Sequence, residues 1–162
     1  MAWGKRRERL KVGARAPSFK LSGLGGEVRS LEDLLAAGAL VLAFYKASCP
    51  VCQFTLPYLD RISKGGGLQF LAVSQDDAGT AGRFSSEYGI TFATLLDTAD
   101  SGYAASNAFG ISSVPSCFLV EKTGEVSWAT EGWEKSEIEA LARRAGATPF
   151  KPGEYVPEWK AG

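Results

Sequence analysis

Histidine is absent from this chain of 162 residues, and cysteine occurs only three times. Without histidine, the chain cannot supply the Cys-His or Ser-His pairs of nucleophilic catalysis. A zinc site would need four thiolates or carboxylates, and a copper site of the Cys-Cys-His kind is excluded. Three cysteines are also too few for a disulfide scaffold. The composition therefore argues against a metal site, and we expect no bound cofactor.

An excess of charge of either sign is missing too, because 18 Lys and Arg residues balance 18 Asp and Glu residues. This balance gives no reason to expect nucleic acid as a partner. No apolar run is long enough to cross a membrane, and no apolar segment of the signal-peptide kind follows the basic start of the chain. We therefore expect a cytoplasmic protein without an integral membrane segment.

The length favours a single domain, and a hydrophobic content of 45% is enough for a sizeable core. We expect a basic N-terminal arm over residues 1–11, a folded domain over 12–146 and an extended tail over 147–162. The tail contains three prolines and shows no periodicity. We expect its aromatic residues to dock it on the domain: Phe150, Tyr155 and Trp159.

Strand and helix patterns alternate along the middle of the chain. Residues 17–30 alternate around a turn at Gly25-Gly26, which predicts an N-terminal hairpin. The apolar runs 39–45 and 68–74 are typical of buried strands, and a shorter one follows at 91–97. Helices are predicted at 30–38, 50–64, 77–89, 100–110 and 136–146. The first has an approximate capping box of Ser30 and Asp33, and the last has a capping box of Ser136 and Glu139. With a closing hairpin over 113–130, this order predicts an α/β fold with a mixed central sheet flanked by helices.

The stretch SCPVCQ places Cys49 and Cys52 where a buried strand meets a helix. A metal site at these two cysteines would lack further ligands. A structural disulfide across so short a loop would remove little entropy from the unfolded chain. Unpaired N–H groups and the helix dipole would stabilise a thiolate at Cys49. These residues predict redox exchange, in which Cys49 attacks a disulfide and the deeper Cys52 resolves the mixed disulfide, unless two buried cysteines meet here by chance. Pro50 would hold both thiols in bridging range, and Val51 would give the rim an apolar character.

Over about residues 11–146 the chain resembles the thioredoxin-like proteins of the TlpA/ResA and AhpC/TSA "redoxin" type. The resemblance is carried, in order, by VGARAPSFKLSGLGGEVRSLEDL, LVLAFYKASCPVCQFTLP, FLAVSQDD, YGITFATLLD and AFGISSVPSCFLVEKTGEVSWATEG. It implies a thioredoxin-like fold with an N-terminal hairpin and a central strand–helix insertion. It also implies a thiol–disulfide oxidoreductase that exchanges electrons with protein disulfides through Cys49-Pro50-Val51-Cys52.

The resemblance further implies that Pro115 is a cis-proline facing the two cysteines. In the family, the residue at the position of Val114 presents backbone groups that pair with a bound substrate strand, which is recognition by strand addition. The implied partners are protein disulfides or dithiols as substrates and an upstream thiol reductant. We expect the chain to act as a monomer.

Two acids that are common in the family are missing from this chain. Ala43 stands where many thioredoxins carry a buried acid, and Thr55 stands where many ResA-like proteins carry Glu. Lys46 is a candidate for stabilising the Cys49 thiolate by its charge, unless it is only a solvated side chain at a strand end. Cys117 is either a third redox thiol or a small buried hydrophobe, and its position on a strand behind Pro115 favours the second interpretation.

Two other functions stay open at this point. The AhpC/TSA relationship makes a thiol peroxidase a reasonable alternative. Peroxiredoxins, however, carry Pro and then Thr or Ser ahead of the peroxidatic cysteine, where this chain has Leu42 and Lys46. The other alternative is a non-catalytic module that uses the fold to bind a protein partner.

Overall fold

The computed structural model describes residues 8–162, so residues 1–7 of the predicted basic arm lie outside the described residues. The strands are β1 (Lys20–Gly23), β2 (Val28–Ser30), β3 (Leu40–Tyr45), β4 (Gln69–Ser74), β5 (Thr94–Leu96), β6 (Ser116–Val120), β7 (Val126–Glu131), β8 (Trp133–Glu134) and β9 (Trp159–Lys160). The helices are α1 (Leu31–Ala36), α2 (Pro50–Ser63), α3 (Ala78–Tyr88), α4 (Ala104–Ala108) and α5 (Lys135–Ala145), with a 3₁₀ turn at Ala99–Ser101.

Seven strands form one sheet in the order β2-β1-β5-β4-β3-β6-β7. The pairs β3–β4 and β4–β5 are parallel. The pairs β1–β2, β1–β5, β3–β6 and β6–β7 are antiparallel. The predicted mixed sheet with an N-terminal hairpin is therefore confirmed. β8 and β9 form a separate antiparallel pair.

β3 lies at the centre of the core, and all six of its residues are buried. Alternate residues of a strand point to opposite faces of a sheet. Leu42 and Phe44 accordingly share a cluster with the apolar side chains of α1 and α4, and Val41 and Ala43 share one with those of α2 and α5. The sheet is thus covered by helices on both faces, which explains the continuous apolar sequence of β3.

The two predicted helix caps differ in outcome. Ser30 caps α1 as predicted, because its hydroxyl accepts the backbone N–H of Asp33 at 3.1 Å. The capping box predicted at Ser136 is wrong, because α5 already begins at Lys135 and has no side-chain cap. The backbone N–H of Lys135 instead donates to the carbonyl oxygen of Glu158 at 2.9 Å, so the tail satisfies this donor at the start of α5.

The tail returns over α2 and the end of the sheet. Phe150 packs against the rings of Tyr58 and Trp133, with centroids 5.6 and 6.3 Å apart. The predicted docking of Tyr155 is wrong, since its side chain is 86% exposed. Trp159 is 63% exposed and is held by the backbone pairing of β9 with β8, not by its indole ring.

Two polar contacts fix the middle of the tail. The Arg61 guanidinium donates two hydrogen bonds to the Glu154 carboxylate, at 2.8 and 3.0 Å. The indole N–H of Trp133, which is fully buried, donates to the carbonyl oxygen of Pro157 at 2.7 Å. A buried indole N–H needs such a partner, so this bond ties the tail to the core.

Candidate active site

The strand-to-helix junction after β3 places the first cysteine at a helix N-cap. Cys49 has extended backbone angles, and Pro50 opens α2 behind it. The backbone N–H of Cys52 donates to Sγ of Cys49 at 3.1 Å. The sulfur therefore occupies the position that a capping oxygen takes in most helices, where the positive end of the helix dipole stabilises negative charge.

The two cysteines differ in their exposure. Cys49 is half-buried, whereas Cys52 is fully buried in a cluster that also contains Tyr45 and Leu56. Burial, followed by the hydrogen bond with the Cys49 side chain, raises the pKa of the Cys52 thiol far above its ordinary value. Cys52 is therefore held as a neutral thiol while Cys49 faces the surface.

Two side chains that sequence reasoning missed hold the turn before Cys49. The backbone N–H of Ala47 donates to Oδ2 of Asp76 at 2.8 Å, and Nε2 of Gln53 donates to the carbonyl oxygen of Ala47 at 2.8 Å. A signal for Asp76 was available in the sequence. It comes two positions after the predicted strand 68–74, and β3 and β4 lie side by side in parallel, so their carboxyl ends meet at one edge of the sheet.

Val114 and Pro115 lie opposite Cys49, and the peptide bond between them is cis, as the resemblance implied. The Cys49 thiol donates a hydrogen bond to the carbonyl oxygen of Val114 at 3.4 Å. The carbonyl oxygen of Pro115 accepts the backbone N–H of Gly132 at 2.8 Å, which ties this loop to the end of β7. The structure thus brings Val114 and Pro115 to the same place as Cys49 and Cys52.

The remaining predicted site residues line the edge of this arrangement. Pro50 is exposed at the first turn of α2, and Val51 is half-buried. Lys46 is exposed, and with Val114 and neighbouring residues it lines a small cleft of about 150 Å³. Its influence on the Cys49 thiolate stays a prediction.

Cys117 lies in the core and not at the rim of the site. It is fully buried in β6 and stands opposite Ala43 of β3 in the sheet register. Burial raises the pKa of its thiol to about 12. This environment suits a small apolar side chain more than a reactive thiolate.

The positions of the two missing acids are both buried. Ala43 is 1% exposed and Thr55 is fully buried on α2, one turn after Cys52. The hydroxyls of Thr55 and Tyr45 have no hydrogen-bond partner among the residues that the structure describes. Within residues 8–162 no group of three or more His, Cys, Asp or Glu side chains is arranged to hold a metal ion, and no helix is long and apolar enough to cross a membrane.

Comparisons with known proteins bear on the family and the fold of this chain. The model of the AhpC/TSA family matches residues 12–129. The thiol-disulfide oxidoreductase ResA of Geobacillus kaustophilus (strain HTA426) is 32% identical over 135 residues, which cover 80% of this chain and 75% of the relative. The solved structure of MTB dsbF has a TM-score of 0.67 at 26% identity and covers 78% of this chain and 92% of its own.

A further solved structure bears on the fold alone. The thioredoxin domain of thiol-disulfide oxidoreductase BVU-2223 from Bacteroides vulgatus has a TM-score of 0.73 at 20% identity, over 85% of this chain and 99% of that domain. The thioredoxin-like fold implied by the sequence is thereby confirmed.

Proposed function

We propose a division of labour between the two cysteines of this chain, which belongs to the AhpC/TSA family and is a thiol–disulfide oxidoreductase of the TlpA/ResA-like type. Cys49 is the nucleophile that attacks the substrate disulfide, and Cys52 is the resolving thiol. The backbone of Val114 and the ring of Pro115 bind the substrate strand beside Cys49.

The exchange takes place in two balanced steps. The Cys49 thiolate attacks one sulfur of the substrate disulfide, so the substrate S–S bond breaks as the mixed disulfide forms, and the released substrate thiolate takes up a proton. Cys52 then loses its proton and attacks Sγ of Cys49, which releases the second substrate thiolate and leaves the Cys49–Cys52 disulfide. Two electrons have passed to the substrate, and an upstream dithiol restores the enzyme by the reverse sequence of bonds.

One observation carries this assignment of roles. Sγ of Cys49 is half-buried and accepts the N–H of Cys52 at 3.1 Å, whereas the sulfur of Cys52 is fully buried. Only the first sulfur both accepts a backbone N–H at the helix N-terminus and is open to a substrate, and the second can react only with its neighbour.

The family activity implies disulfides of proteins as substrates, and the surroundings of Cys49 favour an extended peptide. The backbone of Val114 lies next to the reactive sulfur, where main-chain hydrogen bonds can hold a substrate strand whatever its side chains. Pro50 and Val51 form the neighbouring rim. We propose that the chain works as a monomer and receives electrons from a thiol reductant.

A paired single-turnover measurement tests this function. Reduced protein is mixed with insulin, as a protein disulfide, and separately with hydrogen peroxide. Closure of the Cys49–Cys52 disulfide is followed by rapid alkylation and mass spectrometry. We expect fast closure with insulin and slow closure with peroxide, because Leu42 and Lys46 stand where peroxiredoxins carry Pro and a hydroxyl.

The Cys117→Ser variant is the matched control, since it retains both reactive thiols and removes only the third thiol, in β6. Faster closure with peroxide than with insulin would overturn the proposal in favour of a thiol peroxidase. Failure to react with either would favour the non-catalytic binding module.

A further inference from the structure

The carbonyl oxygen of Val114 has a second neighbour besides Cys49. The tail approaches it through Gly162, at which a methyl group would lie 2.7 Å from that oxygen. This distance is shorter than real side-chain carbons tolerate, so the backbone of Gly162 lies directly against Val114. The reactive sulfur and the tail therefore meet at the same carbonyl group.

Backbone pairing brings the tail to this position. In the β8–β9 pair, Trp133 stands opposite Lys160 and Glu134 stands opposite Trp159. Gly132, which precedes β8, has a positive φ of 69°, and a methyl group on it would lie 2.5 Å from the carbonyl oxygen of Lys160. A residue without a side chain is required for this close approach.

Residues 159–162, which we call the competitor segment, thus extend from the backbone of β8, beside Gly132, to the carbonyl oxygen of Val114. A substrate strand that pairs with Val114 beside Cys49 would need the space next to the same carbonyl group. One backbone edge can pair with only one strand at a time on a given side. The competitor segment and an extended protein substrate therefore exclude each other.

The competitor segment is held at the surface, by the β8–β9 backbone pairing and by Lys160, whose Nζ lies 5.2 Å from the centroid of the Phe54 ring. The Arg61–Glu154 and Trp133–Pro157 contacts fix the tail up to its middle. Beyond them all residues from 158 to 162 are exposed. The segment borders a cleft of about 440 Å³, which Trp159, Ala161 and Gly162 help to line. The segment can therefore be displaced without loss of the core.

We propose that residues 159–162 are a specificity-determining segment that competes with protein substrates for the backbone beside Val114. A small disulfide reaches Sγ of Cys49 without strand pairing, whereas a protein disulfide first displaces the segment. The chain accordingly discriminates against protein disulfides whose flanking strands bind too weakly to do so. This inference rests on the proposed function, because it needs Cys49 as the attacking thiol and Val114 as the substrate-pairing residue.

Two single-turnover rates measured on the same variants test the competition. The probes are insulin, as a protein disulfide, and 5,5′-dithiobis(2-nitrobenzoic acid), as a small one. Deletion of residues 159–162 is expected to raise the second-order rate constant with insulin by roughly three- to tenfold. The reason is that insulin can then pair with Val114 without first displacing the segment. The rate with the small disulfide is expected to stay the same.

A second variant avoids any truncation. Gly162→Ala introduces the methyl group that collides with Val114, so it should push the segment away and raise the insulin rate in the same direction. Ala161→Ser and Tyr155→Ser are the matched controls, because both side chains are exposed and neither change introduces a collision.

The outcomes separate the two proposals. An insulin rate that is unchanged or lower in both the deletion and Gly162→Ala variants would overturn the competition. Equal increases with both disulfides would also overturn it, since they would mean that the segment merely shields Cys49. A parent protein that reacts with neither disulfide would overturn the proposed function, and the competition with it.

Discussion

The backbone N–H of Cys52 donates to the sulfur of Cys49 at 3.1 Å, while the side chain of Cys52 is itself fully buried. One helix turn thus holds the first sulfur with a backbone N–H and keeps the second away from solvent. The order of the two attacks follows from this relationship, because a substrate disulfide can reach only Cys49.

Removal of the resolving thiol should trap the intermediate. In Cys52→Ala, we expect a mixed disulfide between Cys49 and insulin to accumulate to nearly one equivalent, because no second thiol lies within reach to release it. In Cys49→Ala, we expect no adduct, because burial keeps Cys52 neutral and inaccessible. Mass spectrometry of the alkylated products under non-reducing conditions measures the adduct in both variants. Adducts at Cys52 would contradict the assignment of Cys49 as the nucleophile.

Cys117 should behave as a core residue. We expect Cys117→Ala to leave the closure rate of Cys49–Cys52 unchanged and to lower the free energy of unfolding by about 1 kcal/mol, through loss of a buried atom. Alkylation of the native reduced protein should spare Cys117, which is fully buried, and modify it only in denaturant. Rapid native alkylation at Cys117, or a slower closure in the variant, would indicate a third redox thiol.

The strand-to-helix junction could be predicted because its signals are local. The apolar run of β3, Pro50 at the start of α2 and Cys49 before it are all contained in a dozen positions, and the structure has each of them where expected. Such patterns depend on periodicity and capping, which act over one or two turns of chain.

The tail could not be predicted from the same kind of signal. Arg61 and Glu154 are 93 positions apart, and β9 is held by backbone bonds that leave no side-chain pattern. The error at the start of α5 has the same origin, since the carbonyl oxygen of Glu158 in the tail accepts the N–H of Lys135, where the helix begins in place of a cap at Ser136. The approach of Gly162 to Val114 therefore became visible only in three dimensions.

Acidification should loosen the tail. The hydrogen bonds from Arg61 lower the pKa of Glu154 from its usual 4.5 to about 2. A carboxylate whose pKa is lower in the docked state stabilises docking above its ordinary pKa, and this contribution is lost as the pH falls through the lowered value. We therefore expect the NMR signal of the Trp133 indole N–H, which donates to Pro157, to shift between pH 4.5 and 2.

Two neutral variants separate this titration from general acid effects. Glu154→Gln should remove the shift of the Trp133 indole N–H signal between pH 4.5 and 2, and it should weaken docking of the tail already at neutral pH. Glu158→Gln should retain the shift, because its carboxylate is 83% exposed and lies 3.5 Å from Lys135. The same titration curve in Glu154→Gln as in the parent protein would contradict the role given to this pair.

Thr55→Val should stabilise the protein. The hydroxyl of Thr55 is buried one turn after Cys52 and has no hydrogen-bond partner among residues 8–162. A buried hydroxyl without a partner is destabilising, and Val has nearly the same shape, so we expect the free energy of unfolding to rise by about 1 kcal/mol. Urea unfolding of the reduced protein measures this change in the free energy of unfolding.

Thr94→Val is the matched control, since Thr94 is also buried but its hydroxyl contacts Ser85 at 3.4 Å. We expect no increase in the free energy of unfolding in this variant. A loss of stability in Thr55→Val would mean that a water molecule binds this hydroxyl beside Cys52, where the family often has an acid.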